Sequence, residues 1–180
     1  MSAELPVLVG SAAAMAAPAN AKPPTATAAR AFPSSPQHLS LAGEAALAAR
    51  HYAQAERVFS QALELAPDAD ALRVDLARAR LLDGRPDAAL ASLPGLGRSR
   101  DADMVRGAAL SARRDWEGAI AAYRSALAAG APTPDLLNAL AAALLRSGKA
   151  DEAVRLLDQS LSLQPDQPAA RALLQQARKK

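Results

Sequence analysis

The sequence predicts an all-α solenoid, a stack of antiparallel helix pairs closed by a C-terminal capping helix. Three observations predict it. Apolar residues make up 51% of the 180-residue chain but aromatics only 3%, so the apolar content is mostly alanine and leucine. Those residues favour helix, and the β-branched residues that favour strands are scarce. From Leu39 onward a pattern of small and large residues returns at a spacing close to 34 residues. The recurring small positions allow helices to approach closely. The length suits one domain with a real core.

Residues 1–35 read apart from the rest. Leu5 to Ala17 is an apolar run of signal-peptide length, followed by Ala19-Asn20-Ala21, a small-x-small cleavage pattern. A Pro/Ala/Thr/Ser stretch through Pro36 then has little to bury and reads as a disordered linker. The run is too short for a transmembrane anchor. Glu4 with no Lys or Arg ahead of the run is not the basic start of an export signal. Two readings stay open: a signal peptide at 1–21, with a periplasmic or envelope location, or a plain disordered tail on a cytoplasmic protein.

The repeat is anchored on Ala55, in Tyr52-Ala-Gln-Ala55-Glu-Arg-Val-Phe59. The frame returns as Trp116-Glu-Gly-Ala119-Ile-Ala-Ala-Tyr123 and as Ala150-Asp-Glu-Ala153-Val-Arg-Leu-Leu157, with a weaker copy in Pro86-Asp-Ala-Ala89-Leu-Ala-Ser-Leu93. The alanines step by 34, 30 and 34 residues. Twelve residues upstream of each lies a second small column, Gly43, Ala77, Gly107 and Ala141. Gly84 and Gly148 stand where a first helix must end and turn back, a place held by Arg50 and Arg114 in the other two units. Asp68, Asp70, Asp101, Asp135 and Asp166 fall near helix starts, where a carboxylate can cap free N–H groups and meet the favourable end of the helix dipole.

This arrangement resembles the tetratricopeptide repeat family, whose unit is a pair of antiparallel helices A and B. Taking that unit, the repeats are 36–69, 70–99, 100–133 and 134–167, with a capping helix at 168–178 that covers the last stacking face. The second repeat is four residues short, and Pro94-Gly95 ends its helix B early. That is either a shortened connection or a hinge and opened groove. The resemblance implies a right-handed superhelix whose A helices line a concave face. It places Ser40, Glu44, Leu47, Val74, Arg78, Leu81, Met104, Ala108, Ser111, Asn138, Ala142 and Leu145 along that face. It also gives Gly43, Ala55, Phe59, Ala77, Ala89, Gly107, Trp116, Ala119, Tyr123, Ala141, Ala153 and Leu157 structural roles. Co-chaperones of the family hold an acidic C-terminal peptide with a Lys/Asn/Asn/Lys/Arg clamp. The corresponding residues here are Ser40, Glu44, Asp75, Asp101 and Val105. None matches and three are acidic, so a terminal carboxylate is repelled.

Catalysis finds no support in the residues. There is no cysteine and only His38 and His51, which removes disulfides, thiolate nucleophiles and Cys- or His-based metal sites. No phosphate loop or nucleophile triad is present. No cofactor and no metal are expected. The net charge of +3 is concentrated at 168–180, where Arg171, Arg178, Lys179 and Lys180 give +4, so the body is near neutral. The arginines of repeats two and three are interleaved with aspartates, the pattern of a solvated, locally paired surface. The expected role is therefore a scaffold or adaptor that binds a protein or peptide segment. If exported, it resembles the small repeat proteins that help assemble bacterial envelope machines such as pili and secretion systems. Nucleic-acid or acidic-partner binding through the arginines and the basic tail is the alternative.

Overall fold

In a computed structural model the described residues are 35–96 and 99–179; the stretch 1–34, with the candidate signal peptide and linker, lies outside the described residues, as do Gly97, Arg98 and Lys180. Among the described residues there are nine helices and no strand. They are α1 (Pro36–Ala48), α2 (Tyr52–Leu65), α3 (Asp70–Leu82), α4 (Pro86–Ala91), α5 (Arg100–Ala112), α6 (Trp116–Ala128), α7 (Pro134–Arg146), α8 (Ala150–Leu163) and α9 (Pro168–Ala177). Each helix packs chiefly on the next in sequence, so α1–α2, α3–α4, α5–α6 and α7–α8 form hairpins in single file and α9 lies on α8. The predicted all-α solenoid is the observed fold.

The turns that reverse the chain share one geometry. Arg50, Gly84, Arg114 and Gly148 all have positive φ, at 61°, 75°, 62° and 85°. In each hairpin the next residue donates its N–H back into the first helix: His51 to Ala46 O, Arg85 to Arg80 O, Asp115 to Leu110 O and Lys149 to Leu144 O, all at 2.8–2.9 Å. This is the left-handed termination that satisfies the last carbonyls of a helix. Glycine adopts it freely, whereas the two arginines hold a conformation that costs an L-residue about 1 kcal/mol.

The small columns are explained by what faces them. A Cβ on Gly107 would lie 2.6 Å from the Tyr123 ring, and one on Gly43 would intrude on the Phe59 ring. Ala77 and Leu93 share one buried cluster, and Ala141 and Leu157 share another. Glycine thus stands against an aromatic ring in the first and third hairpins, while in the second and fourth an alanine shares a buried cluster with a leucine. Ala55, Ala89, Ala119 and Ala153 are all 0% exposed. Burial raises the Tyr123 hydroxyl above the usual tyrosine range, and a hydrogen bond with Ser111 offsets part of that.

Of the two roles expected of aspartates at helix starts, the dipole role holds for Asp70, Asp101 and Asp135, while capping falls to other residues. The side chains that accept capping N–H bonds are Ser35 (from His38), Ser99 (from Ala102) and Asp115 (from Gly118). Asp70 is the first residue of α3, and Asp101 and Asp135 are the second of α5 and α7, all in the first turn, where they act on the helix dipole. The serines lead because a cap needs a side-chain oxygen on the residue just before the helix.

Candidate partner-binding groove

The A-helix residues assigned to the concave face do not all offer surface. Leu47, Arg78, Leu81, Met104, Ala108, Asn138 and Ala142 are partly exposed. Val74 and Leu145 are 5% and 3% exposed and belong to the packed interior. Leu145 thus packs chiefly into the interior, whereas Val74 packs inside and also lines the cavity described next. Val105, one of the five clamp positions, is 6% exposed and likewise interior.

The structure joins Val74 and Arg78 to a cavity of about 310 Å³, lined also by Asp70, Ala71, Asp75, Leu96, Ser99 and Asp101. It opens where the second hairpin is truncated. Helix α4 has six residues, against thirteen or fourteen in α2, α6 and α8. Leu96 and Ser99, from the connection after α4, form part of the wall. The length change noted in the sequence thus has a local consequence on the A-helix side.

The charge in this region is acidic. Asp75 is held above the usual carboxylate range, chiefly by burial; Arg78 opposes the shift, and Glu44 and Asp101 add to it. Three successive A helices, α1, α3 and α5, thus bring one carboxylate each within electrostatic range of one another. The nearby cation is Arg78, which donates to Asp75 at 2.7 Å and is 41% exposed. Desolvation and like charge together leave this carboxylate under-compensated.

Other groove residues lie away from the cavity. Asn138 is tied to the start of α9: its Nδ2 donates to Gln167 Oε1 at 2.7 Å, and its Oδ1 is buried with no hydrogen-bond partner. Gln167 in turn donates to Ser160 O and Gln164 O, joining α7, α8 and α9. Met104 packs partly against the core of the C-terminal half. Trp116, partly buried, is the first residue of α6, preceded by the Asp115 cap.

The arginines that suggested nucleic acid are largely engaged. Arg73, Arg78, Arg80, Arg85, Arg106 and Arg113 each pair with a carboxylate. Arg100 donates to Thr133 Oγ1 at 3.1 Å. Among the described residues no group of three or more His, Cys, Asp or Glu side chains could hold a metal, and no helix is long and apolar enough to cross a membrane. The sequence offered an opened groove at the short second repeat as one of two readings but named neither its lining nor the pairing partners. The short spacing between Ala89 and Ala119 was the available signal for the groove.

Fold and surface together define a helical-repeat protein of the interaction-scaffold class, in which stacked hairpins present one continuous A-helix face. A sequence profile of the tetratricopeptide repeat matches residues 46–113 and 110–177, and the chain belongs to that family. No curated protein matches the sequence. Among solved structures it is similar to MamA, with 21% identity and TM-score 0.67 over 76% of this chain and 82% of that one. It is similar to PilF of Pseudomonas aeruginosa, with 19% identity and TM-score 0.71 over 79% and 67%. It is also similar to YrrB, a tetratricopeptide protein with an unusual peptide-binding site, with 19% identity and TM-score 0.64 over 77% and 74%. At these identities the likeness is one of fold.

Proposed function

We propose that this chain is a non-enzymatic adaptor that holds a partner polypeptide segment along its A-helix face, and that the segment is cationic and partly apolar where it crosses α3. The observation that supports this reading is the cavity whose walls combine Val74, Leu96 and Ala71 with Asp75 and Asp101. An aliphatic stem lies against the apolar wall while its charged head meets the carboxylates, the way Lys and Arg bury a stem and keep the charge paired. Family membership supports the polypeptide class of ligand, and YrrB is a relative in fold with a peptide-binding site. The electrostatics oppose an acidic C-terminal peptide. In the cell we assign the adaptor to assembly of an envelope, pilus or secretion machine if residues 1–21 direct export. N-terminal sequencing of the native protein reads that directly.

The test places a photo-reactive amino acid at Ala108 on α5, or at the exposed Gln61 on α2, in the native organism. Ala108 should capture a defined partner and Gln61 should not; equal capture at both sites removes the groove from consideration. Met104→Lys should then weaken binding of the captured segment at least tenfold with unchanged helical circular dichroism, because it sets a like charge against a cationic segment. Unaltered affinity would move the site off α5. Binding of a cationic segment favours ionised Asp75, so affinity should rise with pH through that residue's raised pKa and level off above it. Asp75→Asn should flatten that dependence.

A further inference from the structure

Helices α3 and α5 each carry an aspartate–arginine pair one turn apart, and the two pairs are held differently. In α5 both oxygens of Asp103 are taken: Arg106 donates to Oδ1, and Ser125 of α6 donates to Oδ2 at 2.5 Å. That pair is fixed between two helices, and the Asp103 side chain is 4% exposed. In α3 Arg78 donates to Oδ1 of Asp75 at 2.7 Å, while Oδ2 accepts no hydrogen bond among the described residues. The Asp75 side chain lines the cavity and is 16% exposed. Arg78 is also the least tethered arginine of α3. Arg73 reaches Asp70 and Pro94 O, and Arg80 reaches Glu56 and Ser92 Oγ. Among the described residues Asp75 is the one polar partner of Arg78. In the other units the Asp75 place holds Leu41, Val105 and Ala139, and the Arg78 place holds Glu44, Ala108 and Ala142. Stacking therefore does not require the pair, which occurs only in the unit whose short α4 opens the cavity.

On the reading that the partner segment is cationic, on which this inference rests, we propose that Arg78 is an internal competitor. It occupies Asp75 in the free protein, and a basic side chain of the partner displaces it on binding. An ion pair one turn apart on a partly exposed helix is weak, so it yields to a competing cation. The incoming side chain replaces one charge-assisted hydrogen bond by another and gains the apolar wall of Ala71, Val74 and Leu96 for its stem. A neutral side chain gains the wall but cannot compensate the carboxylate. The displaced Arg78 is already 41% exposed, so its head returns to water without further desolvation. Apparent affinity for a basic side chain is then reduced by the fraction of molecules in which Arg78 still holds Asp75. The arginine thus sets how strong a cationic segment has to be before the groove takes it.

The test uses the full-length protein and n-butylguanidinium, which has the stem and head of an arginine side chain, with neutral n-butylurea as its control. Titrations to about 50 mM at fixed ionic strength follow the Val74 and Leu96 methyl signals by NMR. n-Butylguanidinium should bind Arg78→Ala at least fivefold more tightly than wild type, and n-butylurea should bind neither. With Asp75→Asn in place, Arg78→Ala should change the affinity less than twofold, because the two residues act on one site. Equal or weaker binding by Arg78→Ala would overturn the competitor and leave the cationic reading standing. A gain that persists with Asp75→Asn would be a general effect of net charge and would overturn it too. Failure of every form to distinguish guanidinium from urea would remove the cationic reading, and the competitor with it.

Discussion

The second and third hairpins have A helices of equal length but very different B helices. In α5–α6 a thirteen-residue α6 buries Ala119, Ile120, Ala122, Tyr123 and Ala126. In α3–α4 the six-residue α4 buries Ala89, and Leu93 follows just beyond it. The apolar cluster around the second hairpin is built from Val74, Ala77, Ala89, Leu93, Ala102, Val105 and Ala109, with no aromatic ring. Polar contacts take up part of the holding. Arg80 donates to Glu56 of α2 at 2.9 Å and to Ser92 Oγ at 2.7 Å. Arg85 also donates to Glu56, and Arg73 donates to Pro94 O at 2.5 Å. The difference teaches that a solenoid tolerates a truncated B helix when charged side chains from the neighbouring helices span the gap. The truncation opens a cavity on the A-helix side.

The largest expected effect probes the aromatic core. Tyr123→Ala should destabilise the protein by about 3–5 kcal/mol, and Leu93→Ala by about 2–3 kcal/mol, in urea unfolding. Equal losses would break the comparison. Next, Gly107→Ala should cost about 1–3 kcal/mol by forcing a methyl into the Tyr123 ring, and adding Tyr123→Leu should recover much of that loss. Additive losses in the double variant would refute the pairing of glycine with ring.

Glu56→Gln should cost roughly 1 kcal/mol at neutral pH, because it removes the carboxylate's charge and leaves one amide oxygen where two oxygens accept from Arg80 and Arg85. The Glu56 carboxyl is lowered, first by its hydrogen bond with Arg85. Its stabilisation is therefore full above the unfolded-state glutamate value and is lost as pH falls through the lower folded value. Wild type and variant should converge in acid, and a gap that persists there would assign the effect elsewhere. The smallest effect has the opposite sign. Arg114→Gly should raise stability by about 0.5–1 kcal/mol through relief of its positive φ. A lower melting temperature would show that the arginine side chain contributes more than its backbone costs.

Much of the architecture was legible because hairpin packing is local. Both partners of Gly107–Tyr123 or Ala141–Leu157 lie sixteen residues apart within one unit, so their columns repeat with it. The turn at Arg50, Gly84, Arg114 and Gly148 was legible for the same reason. What stayed hidden joins one unit to another or the two ends of one unit, or depends on what a neighbour leaves uncovered. The Glu56–Arg80 contact bridges two units, 24 residues apart, and Asn138–Gln167 ties the first helix of the fourth unit to that unit's last residue, 29 apart, with no periodic trace. Val74 and Leu145 sit at positions that the resemblance assigns to the open face, yet tight stacking of alanine-rich helices draws them inside. The acidic character of the α1–α3–α5 face was visible only as three mismatches to a clamp.

The match of glycine to ring and alanine to leucine sets rules for rebuilding the molecule. First helices α1 and α5 are interchangeable in kind, and so are α3 and α7, because each carries the notch its partner needs. A chimera joining α3 to α6 would set the Ala77 methyl against the Tyr123 ring, while α5 joined to α8 would leave a void beside Leu157. Whole hairpins are thus the exchangeable currency of this stack, and single helices trade only within their own denomination.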